Sequence, residues 1–378
     1  MSREESPMFP IIKGDAPLQA HVGLPEGTYE EEYGRNGFFG RSSHLYHRHP
    51  PTGWTRIEGP TRPRALNVAA LTPADHVKAR GLPQPFLRNA DVTLSMSRRR
   101  EPMPFWFRDA DRDLVHFIHR GTGTLETDFG PLRYEKGDYL VIPRGITHRW
   151  VPDAGTEQLQ LVIESSTEIR LPDRGMLGPH ALFDPGVIRT PDPDPQEATG
   201  EFEVVIRRRE TLTSVWYPFH PLDVVAWKGD ATVWQLNVRD IRPVISPRYH
   251  LPPSVHTTFL AQNFVICSFL PRPLETGDPT ALKVPFFHRN TDFDEVIFYH
   301  DGNFFSRDGI RAGWVTYHPY GIHHGPHPKA LANQHLKHET DEQAVMIDTR
   351  NPLELLPEAA HVDWDAYPET WSRQVSPS

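Results

Sequence analysis

Two histidines and one carboxylate stand out in the C-terminal third of the chain. His288 and Glu295 belong to one short segment, and His324 follows a stretch rich in glycine and proline. Two imidazoles and one carboxylate can occupy one face of an iron ion and leave the opposite face open for a substrate and O2. This incomplete ligand set predicts oxygen chemistry at a non-heme Fe(II) centre rather than a structural metal.

The segment that ends at His324 has a counterpart earlier in the chain. Residues 137–148 and 313–324 share the pattern Gly-(five residues)-Pro-x-Gly-x-x-His. Glycine turns and a fixed proline bend place the histidine at the start of a strand, where it can point inward. Both halves therefore resemble cupins, so the sequence predicts an all-β bicupin of two jelly-roll barrels with an irregular N-terminal arm and a C-terminal tail.

The two halves differ in their ligands. In the first half, the positions that correspond to His288, Glu295 and His324 hold Phe107, Leu114 and His148, in that order. We therefore expect a structural, metal-free N-terminal barrel, with His148 as a core or interface histidine, and one iron per chain. Asp294 is an alternative carboxylate, but Glu295 is favoured because it precedes Gly302 by the same interval that separates Leu114 from its own glycine.

Composition excludes several classes of protein. The chain has 378 residues, 39 of them proline and 26 glycine, which favours short strands over long helices. Its net charge of −9 without a basic run argues against a nucleic-acid partner, and no apolar stretch is long enough for a membrane span. The single cysteine, Cys267, and an N-terminus without a secretory pattern predict a cytoplasmic protein.

The pattern of short apolar runs divides the chain in two. Residues 1–200 are predicted to hold an N-terminal arm, the metal-free barrel and a connection, and residues 201–378 the catalytic barrel and a polar tail. Short helices are expected near 72–81 and 353–359. The strands are expected near 113–119, 138–143, 159–164, 202–206, 264–269, 295–299 and 344–348.

The arm, up to about residue 60, contains His44, His47 and His49. A metal site there is one possibility. An arm that packs over a neighbouring domain or subunit is favoured, because these histidines come without a carboxylate or a turn framework.

Several motifs resemble the homogentisate 1,2-dioxygenase family in its shorter bacterial form. They extend over most of the chain: Leu171-Pro-Asp173, Tyr249-His-Leu-Pro-Pro-Ser254, Pro285-Phe-Phe-His-Arg-Asn290, Gly302-Asn-Phe-Phe-Ser-Arg-Asp-Gly309 and His324-Gly-Pro326. The resemblance implies a cytoplasmic, homo-oligomeric enzyme of tyrosine and phenylalanine catabolism. Such an enzyme opens the ring of homogentisate with O2 to give maleylacetoacetate.

The resemblance also implies roles for single residues. His288, Glu295 and His324 become the iron ligands. His250 matches the acid/base histidine near the substrate hydroxyl, and His318 matches another active-site histidine. His300, His323 and His327 have no such match, and we expect them outside the ligand set.

Two departures from the family concern the substrate. Phe304 and Arg307 stand where tyrosine and lysine help to hold the substrate, and arginine can still bind a carboxylate through two hydrogen bonds. The alternatives are a cupin dioxygenase for a gentisate- or hydroquinone-like ring, a Zn or Mn cupin isomerase, and a non-catalytic metal-binding bicupin.

Overall fold

A computed structural model describes residues 11–289 and 292–372. The described residues exclude Asn290 of the His-Arg-Asn motif and Thr291. They also exclude the first ten residues, whose sequence predicts no secretory signal. The first twelve strands are β1 (Tyr29–Gly34), β2 (Ser42–His47), β3 (Arg64–Leu66), β4 (Gln84–Arg88), β5 (Val92–Ser97), β6 (Trp106–Asp109), β7 (Asp113–Arg120), β8 (Gly123–Thr127), β9 (Leu132–Tyr134), β10 (Asp138–Ile142), β11 (Thr147–Pro152) and β12 (Leu159–Ser165).

The second half of the chain contains a further twelve strands in the described residues. They are β13 (Thr199–Arg208), β14 (Thr211–Phe219), β15 (Trp234–Asn237), β16 (Thr257–Leu260), β17 (Phe264–Phe269), β18 (Arg272–Pro273), β19 (Phe287–His288), β20 (Asp294–Asp301), β21 (Val315–His318), β22 (Glu339–Thr340), β23 (Gln343–Thr349) and β24 (Glu354–Leu355). The predicted strands are confirmed, because each lies within or overlaps one of these elements.

Helices are few and short, as the scattered prolines predicted. The α-helices are α1 (Ala74–Val77), α2 (Pro328–Asn333) and α3 (Glu369–Ser372). Short 3₁₀ helices occupy Gly37–Phe39, Val68–Ala70, Gly175–Leu177, Pro185–Val187, Val238–Asp240, Pro253–His256, Gln334–Leu336 and Pro357–Val362. The helix expected near 72–81 shrinks to the four residues of α1, and the one expected near 353–359 is β24 followed by a 3₁₀ helix. No helix in the described parts of the chain is long and apolar enough to cross a membrane.

The strands form two barrels, so the chain has the predicted all-β bicupin fold. The N-terminal barrel consists of a seven-stranded sheet, ordered β15-β10-β7-β12-β5-β4-β24, and a six-stranded sheet, ordered β14-β13-β6-β11-β8-β9. The C-terminal barrel has a six-stranded sheet, ordered β16-β17-β23-β20-β21-β3. A three-stranded sheet, β19-β1-β2, and the pair β18-β22 accompany it.

Each half of the chain, residues 1–200 and 201–378, contributes its first three strands to the barrel of the other half. The hairpin β1–β2 pairs in parallel with β19 of the C-terminal barrel, and β3 pairs with β21. Reciprocally, the hairpin β13–β14 pairs in parallel with β6 of the N-terminal barrel, and β15 pairs with β10. Residues 202–206, predicted to belong to the C-terminal barrel, therefore lie in the N-terminal one. We propose 1–200 and 201–378 as two units that complete each other's barrels.

Glycines with left-handed backbone support the internal repeat. Gly137 and Gly313 have φ of 87° and 82°, and Gly145 and Gly321 have φ of 84° and 86°. Residues with a β-carbon rarely adopt these angles, so glycine is needed at both pairs of positions. The same two turns therefore lead into His148 in one half and into His324 in the other.

Apolar side chains fill the two barrels unequally. Fourteen buried apolar residues form the cluster inside the N-terminal barrel, whereas seven form the one inside the C-terminal barrel. A larger cluster joins the barrels, where Phe117 of β7 meets Phe298 of β20 at 6.2 Å between ring centroids. Because side chains alternate along a strand, Glu295 of β20 faces the barrel interior that apolar residues leave unfilled.

Candidate metal centre

Three side chains converge inside the C-terminal barrel. His288 lies on β19, Glu295 begins the inward face of β20, and His324 follows the Gly321 turn. The backbones of His288 and His324 pair as an isolated bridge, with N–H to O=C distances of 2.9 and 2.8 Å. Glu295 Oε2 lies 3.5 Å from His288 Nε2 and 3.6 Å from His324 Nε2, and all three residues are buried.

The two imidazoles are oriented by backbone carbonyls. His288 Nδ1 lies 3.0 Å from the Phe286 carbonyl oxygen, and His324 Nδ1 lies 3.2 Å from that of Ile322. A proton on each Nδ1 leaves the Nε2 lone pairs directed at Glu295, the orientation that a metal ligand requires. His288 Nε2 is buried and has no hydrogen-bond partner in the described structure. The three residues thus fit a divalent cation.

Electrostatics keep these groups in the form that binds a cation. Burial raises the pKa of Glu295, but His324, His288 and His318 outweigh burial and hold its pKa well below the usual range. Burial lowers the pKa of His324 to about 3, so this imidazole is neutral near pH 7. An ionised carboxylate and a neutral imidazole both offer lone pairs to a metal.

Asp294 faces away from the two imidazoles. Its carboxylate accepts hydrogen bonds from the Tyr317 hydroxyl at 2.9 Å and from the backbone N–H groups of Tyr320 and Leu353 at 2.8 and 2.7 Å. Neighbouring residues of a strand point to opposite faces, so Asp294 and Glu295 cannot both turn inward. The structure therefore brings Glu295, and not Asp294, to the histidines.

Apolar residues occupy two of the three equivalent positions in the N-terminal barrel. Phe107 and His148 are register partners there, as His288 and His324 are in the other barrel. Phe107 and Leu114 belong to the apolar cluster of this barrel. His148 is buried, with Nδ1 3.2 Å from the Ile146 carbonyl oxygen and its ring edge-on to Phe107.

His318 lies directly behind the carboxylate. Its Nδ1 is 2.8 Å from Glu295 Oε1, and its Nε2 is 3.2 Å from the Tyr367 hydroxyl. A hydrogen bond from His318 Nδ1–H fixes the rotamer of Glu295, so His318 positions the carboxylate. Its neighbour Trp371 is also buried, which shows that the predicted polar tail is apolar where it covers the site.

A cavity that is partly open to solvent adjoins His288 and Glu295. Its wall combines apolar side chains with a few polar ones, as in sites that bind small molecules. Its apolar wall includes Phe269, Pro285, Ile297, Tyr299 and Phe305, and its polar wall includes His250, Arg272, Ser306, Arg307 and Glu342.

Two of the predicted pocket residues line this cavity. His250 Nδ1 lies 3.0 Å from Glu275 Oε1, an arrangement that orients the imidazole. Arg307 is buried, with Nη1 donating to the Gly325 carbonyl oxygen at 2.9 Å and Nη2 4.0 Å from Glu295 Oε1. Its Nε is buried and has no hydrogen-bond partner within the described residues.

Phe304 is not part of the cavity wall. Its ring packs in the apolar cluster, 4.8 Å from the ring of Tyr299, and supports that wall from behind. The next residue, Phe305, lines the cavity instead. Phe304 and Phe305 are neighbours in a loop, and the sequence pattern does not show which of the two faces the cavity.

Sequence reasoning missed several charged neighbours of the site. Asp348 of β23 is the register partner of Glu295, and burial together with the Glu295 charge raises its pKa well above the usual range. Asp348 therefore holds its proton beside an ionised ligand. Glu342 and Arg272 are half-buried and add one acidic and one cationic side chain to the cavity wall. Of the three residues, only Asp348 lies in a predicted strand, and no signal in the sequence pointed to the other two.

The three histidines without a family match lie outside the ligand set. His300 Nδ1 is 2.9 Å from His119 Nδ1, in a buried contact between the two barrels. His323 Nε2 is 3.1 Å from Glu31 of the arm, and His327 Nε2–H donates to the Thr370 carbonyl oxygen at 2.8 Å.

Comparison with known proteins matches the chain to one family. Residues 90–238 match the family model of the homogentisate 1,2-dioxygenase N-terminal region. Over 95% of its length the chain is 31% identical to a Saccharolobus solfataricus protein named as a candidate dioxygenase, and the match covers 98% of that protein. The chain belongs to the homogentisate 1,2-dioxygenase family.

More distant relatives extend the comparison. A Bradyrhizobium diazoefficiens protein named homogentisate 1,2-dioxygenase is 27% identical over 70% of this chain, and the match spans 62% of that protein, less than two thirds of its length. A cupin barrel structure from Leptotrichia buccalis covers 71% of this chain and 88% of its own, with 10% identity and a TM-score of 0.33. As a homogentisate 1,2-dioxygenase family member, this chain is an oxygenase.

Proposed function

We propose that the chain is an Fe(II)-dependent ring-cleaving dioxygenase of the extradiol type that converts homogentisate and O2 to maleylacetoacetate. The observation that carries this proposal is the buried cluster of His288, Glu295 and His324, two of which line a cavity with both apolar and polar side chains. Two imidazoles and one carboxylate are the ligand set of non-heme Fe(II) oxygenases.

His288, Glu295 and His324 would hold Fe(II), which would supply the redox chemistry that allows an aromatic ring to react with O2. The chain's own residues do the rest. His250 accepts the phenolic proton, because a neutral imidazole on the cavity wall offers a ring nitrogen that can act as a general base. His318 keeps Glu295 in the rotamer that faces the two histidines, and the apolar wall with Phe305 and Ile297 limits the access of water to the ring.

Arg307 is the proposed partner of the substrate carboxylate. Its guanidinium is held in place by backbone carbonyls, so little rotamer entropy remains to be lost when a carboxylate binds. A planar guanidinium can donate two parallel hydrogen bonds to a carboxylate. Arg272, on the same cavity wall, is a second cation within this pocket.

The test of the proposed function joins metal analysis to O2 uptake. Protein purified without oxygen is analysed for its metals and assayed in an oxygen electrode with homogentisate, gentisate and hydroquinone. Iron together with rapid uptake on homogentisate supports the proposal. Uptake on gentisate or hydroquinone alone would assign the chain to a related ring, the alternative that the Arg307 departure motivates. Zn or Mn without uptake on any of the three rings would overturn the dioxygenase proposal.

Replacing Arg307 with Met should affect only substrates that carry a carboxylate. We expect KM for homogentisate to rise about 100-fold, because a hydrogen bond to a charged group contributes about 1.5–3 kcal/mol. KM for hydroquinone, which has no carboxylate, should change little. Arg311→Met, in an exposed loop nearby, is the matched control. Equal rises in KM for both substrates would show that Arg307 shapes the cavity without binding the carboxylate.

A further inference from the structure

A second cluster of two histidines and a carboxylate lies in the N-terminal arm. The side chains of His21, Glu32 and His44 bring one ligand atom each to within 4.8 Å of the others. Glu32 Oε2 lies 3.7 Å from His21 Nε2 and 4.0 Å from His44 Nε2, which is too long for hydrogen bonds. The corresponding distances at the first cluster are 3.5 and 3.6 Å. The two clusters thus present the same ligand types at similar separations.

A fourth residue lies against both imidazoles of the arm. Glu30 is fully buried, and its Oε2 forms a hydrogen bond with His21 Nδ1 at 3.2 Å. Its Oε1 lies 2.9 Å from His44 Nδ1 as an ion-pair contact. Burial raises the pKa of Glu30, but the two imidazoles outweigh it and hold the pKa at about 2. With both Nδ1 atoms turned to an ionised carboxylate, both Nε2 atoms are directed at Glu32. Metal-binding histidines in proteins are commonly held by a carboxylate in this way.

The fold itself does not require this cluster. The hairpin β13–β14 occupies the same place on the N-terminal barrel that β1–β2 occupies on the C-terminal one. Glu32 pairs in register with His288 on one side and His44 on the other. The equivalent residue in the other hairpin is Val205, which pairs with Phe107 and Ser214 in the same way. Valine and serine therefore suffice to build this hairpin, so the histidine and the glutamate of the arm call for another explanation.

We propose that His21, Glu32 and His44 form a second metal site, for a divalent cation of the Zn²⁺ class. Three nitrogen and oxygen ligands with room for a fourth are typical of Zn²⁺ sites that keep one position open. The His44 side chain is 23% exposed, which gives a cation access from solvent.

The arm site is separate from the cavity of the first centre. None of its three ligands lines that cavity. The ring of Phe286 lies between the centres, stacked on His21 at 4.3 Å and 5.7 Å from His288. A cation bound in the arm would tie the loop at His21 to the hairpin that pairs with β19. The chain would then hold two metals, one in each histidine–glutamate cluster.

The experiment uses the full chain with the first centre removed by the double substitution His288→Ala and His324→Ala. After dialysis against a chelator, this protein is titrated with ZnCl₂ by calorimetry, and its zinc content is measured after gel filtration. We expect one equivalent of Zn²⁺ to be retained. Adding His44→Ser, which copies Ser214 of the equivalent hairpin, should remove that equivalent.

Two further variants separate a metal site from a set of ion pairs. Glu30→Gln leaves all three ligands in place but weakens their orientation, so we expect affinity for Zn²⁺ to fall about 10–100-fold. His49→Ala, an exposed histidine of the same arm, should leave binding unchanged. If the double variant retains no Zn²⁺, or if His44→Ser retains as much as its parent, the cluster is a set of buried ion pairs and the proposal is wrong. Neither result depends on activity at the first centre.

Discussion

Replacing His324 with Ala should lower the iron content by one equivalent per chain and abolish O2 uptake with homogentisate. The imidazole is fully buried and neutral, and its loss leaves two of three ligands. Two ligands cannot hold a divalent cation against chelating buffer, so turnover should fall by at least about 10³-fold, comparable to the loss of a principal catalytic group. Metal analysis after anaerobic purification and the oxygen electrode measure both quantities on the same sample.

The matched control is His148→Ala in the N-terminal barrel. His148 follows the same pair of glycine turns and is equally buried, but it stands beside Phe107 and an apolar cluster. We expect this variant to be less stable while it retains its iron and its turnover per folded chain. Stoichiometric iron in the His324→Ala protein would contradict the assignment of the metal centre, whatever its activity.

Local signals in the sequence predicted seven of the twenty-four strands in the described residues. Strands such as β7, β10, β12 and β20 are dense in branched and aromatic residues and are bounded by glycine or proline. The two left-handed glycines before His324 recur before His148, so the repeat revealed a turn framework as well as a histidine. His288, Glu295 and His324 lie close together in the structure, as expected from this local framework, and their role as metal ligands stays a prediction.

The exchange of strands between the barrels could not be predicted in the same way. Glu32 of β1 pairs with His288 of β19, and no short-range pattern marks a parallel pairing between segments so far apart. Three consecutive glutamates, residues 30–32, are typical of a solvent-exposed stretch, yet all three are buried. Glu31 lies 2.9 Å from Arg289 Nε and 2.7 Å from His47 Nε2. Only the tertiary pairing supplies these partners.

The arm histidines illustrate the same limit. No acidic residue is adjacent to His44 in the sequence, so the sequence gives no sign that a carboxylate lies beside it. Antiparallel pairing of β1 with β2 places Glu32 directly opposite His44, and the loop before β1 adds His21. A ligand set assembled across a hairpin needs the strand register, which the sequence alone does not specify.

Replacing Arg207 with Met should destabilise the fold more than any surface substitution. Arg207 lies on β13, the strand that the second unit donates to the N-terminal barrel. Its Nε donates to Asp109 Oδ2 at 2.8 Å, and its Nη2 donates to Glu164 Oε2 at 2.8 Å. The two carboxylate side chains are 2% and 5% exposed. Removing Arg207 leaves the buried Asp109 carboxylate without its cation, whereas Glu164 keeps its ion pair with Arg112. The loss of one partner of a buried ion pair costs about 3–5 kcal/mol in comparable cases.

Urea unfolding at neutral pH measures this loss, and Arg133→Met is the matched control. Arg133 pairs with Asp153, but the two side chains are 62% and 38% exposed, so water screens the pair and its removal should cost less than about 1 kcal/mol. If both variants lose the same stability, the donated hairpin is not held by its buried charges. A large loss confined to Arg207→Met would show that the N-terminal barrel depends on a strand that the second unit supplies. The two units would then be stable only together, because each barrel contains strands of the other.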